Sequence, residues 1–156
     1  MASAITVNLI YARGGLGLDD EARAVAEVLR GAGFRVSCPR PIFRRGDGSL
    51  ALKRSVLIRL VRLMVYSPLT AYFIQRDMNL FLGRVERPMI RMARYQVLMP
   101  CGLPVTDRKR YLLKVMDLVV CRDEKEERVF SGAGCRIVVG GAGKLPEFLE
   151  GLVDQA

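Results

Sequence analysis

The feature that most constrains this chain is an alternation of short apolar runs with amphipathic stretches, repeated from one end to the other. Ile5 to Tyr11 is an apolar run closed by Gly14-Gly15, which reads as a buried strand. Asp19-Asp20-Glu21 then opens a helical pattern with Ala22, Val25, Ala26, Leu29 and Ala32 on one face, stopped by Gly31 and Gly33. Phe34 to Cys38 is a second strand. A strand, a helix and a strand in this order form a right-handed crossover between parallel strands.

The same reading continues along the chain. Pro39 to Ser49 is a loop rich in proline and glycine, Leu50 to Tyr66 a helix, and Ala71 to Gln75 a third strand. Met78 to Ala93 has a helical composition, broken at Pro88. Tyr95 to Met99 is a fourth strand, and Thr106 to Val115 a short helix. Asp117 to Cys121 is a fifth strand, followed by a helix that opens at Asp123 and Glu126 with a capping-box-like start and ends near Gly132 or Gly134. Cys135 to Val139 is a sixth strand, and Leu145 to Val153 a last helix entered through Pro146. No linker or repeat interrupts the pattern. The expectation is one domain over residues 1–156: an α/β, Rossmann-like three-layer sandwich with a mainly parallel sheet of about six strands.

Composition narrows the function classes. Apolar residues make up 51% of the chain and charged residues 26%, enough for one real core. Lys and Arg total 25 against 16 Asp and Glu, a net charge of +9. From Val28 to Arg76 the ten bases face a single acid, Asp47, so an anionic partner is one reading and a solvated basic face the other. On a helix, Ser55, Arg59 and Arg62 share one face. Arg54, Arg59 and Arg62 are candidates for contact with an anionic membrane surface, at the cytoplasmic face and without spanning it. Nucleic acid is disfavoured, because no recognised motif accompanies the charge. Four cysteines at wide spacing and no histidine argue against zinc and for buried thiols in a reducing cytosol. The sequence shows neither the pattern of a signal peptide nor a membrane-spanning stretch.

Two glycine loops invite nucleotide readings, and both fail. In Arg13-Gly14-Gly15-Leu16-Gly17 the dinucleotide fingerprint puts Asp20 where its third glycine belongs, and Asp19, Asp20 and Glu21 already occupy the place of a pyrophosphate. Gly140-Gly141-Ala142-Gly143-Lys144 lacks the first P-loop glycine, at Val138, and the magnesium-holding hydroxyl, at Leu145. No cofactor is therefore expected: not NAD, ATP or a metal. What remains of the first loop is a floor for a neutral or sugar-like ligand, made by Gly14, Gly15 and Gly17. Asp77 and Asn79 follow the third strand in this reading. Asp77 is the candidate general base and Asn79 a candidate substrate contact.

Three stretches carry a family resemblance: Met78-Asn79-Leu80-Phe81-Leu82; Met99-Pro100; and Val119-Val120-Cys121 with Val129-Phe130, Gly134 and Val138-Val139-Gly140. In this order they resemble the N-terminal domain of bacterial GT-B glycosyltransferase-like proteins. The chain departs from that pattern at Gly83, in Cys101-Gly102-Leu103-Pro104 and at Arg122-Asp123. The resemblance implies an acceptor-side module that assists glycosyl transfer and is inactive alone, completed by a C-terminal GT-B partner that binds the nucleotide-sugar. The alternative is a non-enzymatic interaction module that binds a protein or an anionic membrane surface through the basic segment.

Overall fold

A computed structural model describes residues 5–11, 18–38, 76–85, 87–102 and 107–154. Six strands form one sheet: β1 (Thr6–Tyr11), β2 (Arg35–Ser37), β3 (Arg76–Leu82), β4 (Ala93–Met99), β5 (Leu118–Cys121) and β6 (Arg136–Val139). Their spatial order is β2-β1-β3-β4-β5-β6, and every pairing is parallel. Three α-helices flank the sheet among the described residues: α1 (Leu18–Gly31), α2 (Glu124–Phe130) and α3 (Leu145–Val153). The expected α/β, Rossmann-like architecture is what forms.

Each strand splits its side chains between two cores, as the period of two requires. Val7, Leu9, Met78, Leu80, Val97 and Leu118 pack with α1 and α3 through Val25, Leu29, Leu145 and Leu149. Ile10, Phe81, Leu98 and Val119 pack on the other face with Leu112, Leu113 and Phe130. A strand buried on both faces shows no polar alternation, so it reads as a continuous apolar run. Each such side chain contributes roughly 1.5–3 kcal/mol on burial.

That same property misplaces one element in the sequence reading. Met78 to Ala93 is not helical: Arg76–Leu82 is the long central strand, and a 3₁₀ helix follows at Arg87–Met92. Met, Leu and Phe suit a helix as well as a doubly buried strand, and composition could not separate them. Gly83, at φ 71°, ends the strand in the left-handed region. The helix expected at Thr106 to Val115 is a 3₁₀ helix at Asp107–Val115. Gly140 to Lys144 follows the last strand. It tightens into a 3₁₀ turn at Ala142–Lys144, and a Cβ on Gly140 would stand 2.7 Å from the Phe148 ring. The helix read at Leu50 to Tyr66 and the strand at Ala71 to Gln75 lie outside the described residues.

One row of polar side chains crosses the second core. Asn8 pairs in register with Ser37 and with Asn79, and Asn79 pairs with Gln96. Ser37 Oγ donates to Asn8 Oδ1 at 2.7 Å, and Asn8 Nδ2 donates to Asn79 Oδ1 at 3.0 Å. Asn79 Nδ2 donates to Gln96 Oε1 at 2.9 Å and to the Met89 carbonyl at 2.7 Å. Gln96 Nε2 ends the row on the Ala93 carbonyl at 2.8 Å. Elsewhere the accounting is less complete, because the Tyr95 hydroxyl is buried without a hydrogen-bond partner among the described residues.

These two situations predict opposite mutational signs. Asn79→Leu strands partners on Asn8, Gln96 and Met89 and should destabilise by about 2–4 kcal/mol, whereas Tyr95→Phe should be neutral or stabilising by about 1 kcal/mol. Urea denaturation of both variants checks this.

Candidate functional site

In an open parallel sheet the loops that follow the strands gather along the carboxyl edge. A crevice opens where successive crossovers run in opposite directions. Here the reversal lies between β1 and β3: β2 sits on one side of β1, and the chain then returns to the other. The chain leaving β1 at Tyr11, β3 at Leu82, β4 at Met99 and β5 at Cys121 therefore surrounds the candidate site.

Two of those exits and the first turn of α1 are tied together by side chains. After Met99 and Pro100 the backbone turns through Cys101 at φ 56° and Gly102 at φ 72°. A non-glycine residue there costs roughly 1–2 kcal/mol, so the turn is held by its surroundings. Glu126 does much of the holding. Its Oε1 accepts the Gly102 N–H at 2.7 Å and its Oε2 accepts the Arg122 N–H at 2.7 Å. Asp123 caps α2 by accepting the Glu126 N–H at 2.8 Å. The capping signal in the sequence is thus half kept. Asp123 plays its ordinary part, while Glu126 reaches past the cap residue to join two loops.

Arg122 then reaches across the edge to Glu21, in the first turn of α1, and the two form an ion pair. Burial works against the Arg122 charge, but the Glu21 carboxylate overrides it and raises the guanidinium pKa. Cys101 lies beside this pair. Burial, then the Glu21 charge, pushes its thiol up to about 12, so it is a neutral thiol at physiological pH and no nucleophile. Its Sγ donates to the Met99 carbonyl at 3.3 Å. The edge as a whole is rich in acid, with Asp19, Asp20 and Glu21 opening α1 and Glu124, Glu126 and Glu127 in the first turn of α2.

The residues chosen from sequence fall in three places. Gly14, Gly15 and Gly17, between β1 and α1 in the chain, and Arg54, Arg59 and Arg62, between β2 and β3, lie outside the described residues. Asp77 does not stand at the carboxyl end of a strand. It is the second residue of β3, at the opposite edge, where Oδ2 accepts the Thr6 N–H and hydroxyl, each at 2.7 Å. The correction follows from the strand Arg76–Leu82, which carries Asp77 near its start. Asn79 is fully buried inside β3 as a member of the polar row. Asp117 likewise precedes β5 and accepts the Gln96 N–H at 2.7 Å. Sequence reasoning did not single out Glu21, Cys101, Arg122 and Glu126 as site residues. Only the Asp-x-x-Glu spacing pointed toward one of them.

Among the described residues no cluster of metal-ligating side chains forms and no helix is long and apolar enough to cross a membrane. Comparison with models of known families, with curated proteins and with solved structures found no match.

The thiol environment gives a direct check. At pH 9 a thiol at the ordinary value of 9.0 is about half ionised, whereas Cys101 should be ionised to about one part in a thousand. Its alkylation by iodoacetamide should lag an unfolded control by on the order of a hundredfold, read peptide by peptide by mass spectrometry. The sign for stability follows. The raised pKa favours the folded state up to about pH 9 and that contribution is lost as pH climbs toward 12.

Proposed function

We propose that this chain is the acceptor-side module of a GT-B-like glycosyl transfer system, holding a neutral, hydroxyl-rich acceptor at the carboxyl edge of its sheet. In this reading the nucleotide-sugar is bound by a separate donor domain. The observation that carries it is the reversal of strand order between β1 and β3. That reversal brings the end of β1 at Tyr11, the Gly83 turn and the Cys101-Gly102 turn to one edge.

The chemistry of the edge favours a sugar over a phosphate. Three carboxylates at the start of α1 oppose a nucleotide pyrophosphate where a helix would otherwise attract one. The Glu21–Arg122 pair offers carboxylate oxygens beside guanidinium N–H groups. A sugar hydroxyl both donates and accepts, so a neutral pair of this kind matches it without an unpaired charge. With Asp77 at the far edge, no base is assigned on this chain. Deprotonation of the acceptor then falls to the donor-side partner.

Amide NMR titration of the isotope-labelled chain tests the proposal, with neutral oligosaccharides and UDP-glucose as separate probes. Oligosaccharide should shift Gly83, Cys101, Gly102 and Arg122 and leave Thr6, Asp77 and Asp117 unmoved. Arg122→Ala should weaken that binding about tenfold. Sugar turnover by the chain alone, or tighter binding of UDP-glucose than of any oligosaccharide, would sink the reading.

A further inference from the structure

The described cations are not spread evenly. Arg35, Arg76 and Arg136 are the first residues of β2, β3 and β6, and Arg94 is the second of β4. Lys114 lies just before β5, and Arg128 in the last turn of α2, which runs back toward the strand starts. All six side chains are exposed, and all six stand at the amino edge, opposite the candidate sugar site. Of the acids there, Asp77 is bonded to Thr6 and Asp117 to the Gln96 amide, while Glu150 in the last turn of α3 and Asp154 at its end are exposed carboxylates near this edge.

Strands lie about 4.8 Å apart, so the row from β2 to β6 extends for roughly 24 Å. Arg76 and Arg94, on adjacent strands, fall within a screening length of about 8 Å, and Arg35 and Arg136 each stand two strand spacings further out, roughly 10 Å away. Apolar side chains adjoin them. Val129 is 56% exposed, and Tyr111 and Val115 are each 47% exposed. Tyr111 and Val129 line one shallow groove with Lys114, between the 3₁₀ helix at 107–115 and the end of α2.

We propose that the amino edge of the sheet is a docking face for an anionic bilayer surface, its cations on the headgroups and Tyr111, Val115 and Val129 in the interfacial layer. A linear array of charge beside exposed aliphatic side chains fits a flat, partly apolar surface. Tyr111 is the one aromatic side chain of the three, and the two valines beside it suit an acyl layer better than a stack of bases. Docked this way, the carboxyl edge stands about 23 Å above the lipid, the length of a seven-residue strand. This inference stands independently of the sugar-binding reading.

The test is co-sedimentation with vesicles of phosphatidylcholine alone and of phosphatidylcholine with phosphatidylglycerol. The wild type should bind only the anionic vesicles, and less as salt rises. Each charge near such a surface is worth roughly a fivefold change in partition, so Lys114→Glu with Arg128→Glu should lower bound over free by more than tenfold. Arg23→Glu with Lys125→Glu alters net charge equally, at the other edge, and should change it far less. Val129→Ser should cost several-fold with no charge change. Arg94→Gln with Arg136→Gln repeats the test without reversing charge, should the first pair fail to fold by circular dichroism. Equal losses from the two edges, no wild-type binding at low salt, an unaffected Val129→Ser, or tighter binding to a DNA duplex than to anionic vesicles would each overturn the proposal.

Discussion

The structure depends first on the register of its four neighbouring strands, and a chain of amides fixes that register. A slip of one residue in a parallel pair sends every side chain to the wrong face. In a sheet apolar on both faces such a slip meets little resistance from hydrophobicity alone, because both cores accept Leu, Val and Phe. The row Ser37–Asn8–Asn79–Gln96 supplies the resistance. Its members are register partners and its hydrogen bonds form only in that alignment. Shifting one strand would leave buried amides unpaired, each at about 1–3 kcal/mol. Specificity here comes from polar groups inside a core, at little net gain in stability.

Once register is set, the crossover topology sorts charge. A helix joining parallel strands starts at the carboxyl edge and ends at the amino edge. Its dipole favours acids at the start and bases at the finish. α1 opens on Asp19, Asp20 and Glu21 and closes on Arg30; α2 opens on Glu124, Glu126 and Glu127 and closes on Arg128. Helix electrostatics therefore accounts for part of the charge polarity of the molecule. It does not account for Arg35, Arg76, Arg94 and Arg136, which begin strands. Strands have little net dipole and no such preference, so that part of the basic edge has no source in local structure.

Strand β1, helix α1 and the final helix were legible in the sequence because each carries a pattern of its own. Ala22, Val25, Ala26 and Leu29 repeat at the helical period, and Pro146 marks an entry. Strand β3 was not legible. Met78 to Leu82 is buried on both faces, so periodicity is silent there, and the Asn that breaks the apolar run looked like a polar exit rather than a paired core residue. That one error moved Asp77 from one edge of the sheet to the other. The candidate site was hidden for a different reason. Glu21, Cys101, Arg122 and Glu126 come from three separate segments, joined only by tertiary packing, and nothing in their spacing announces the junction. Cys101 is the hardest of all, since a cysteine in the left-handed region has no sequence mark, unlike the glycine that follows it.

What holds that junction together also limits what can bind there. Two backbone N–H groups converge from the β4 and β5 exits with a guanidinium nearby, an arrangement that would serve an anionic ligand in many parallel sheets. Here the chain's own carboxylates occupy all three: Glu126 takes the amides of Gly102 and Arg122, and Glu21 takes the Arg122 side chain. An incoming phosphate would have to displace carboxylates tethered within hydrogen-bond reach, at high effective concentration. It would do so amid the further negative charge of Asp19, Asp20 and Glu124. A neutral polyol displaces nothing, because each oxygen of these carboxylates retains a lone pair and the guanidinium retains unused N–H groups. The same internal charge pairs that work against a nucleotide at this edge are compatible with the neutral ligand proposed for it.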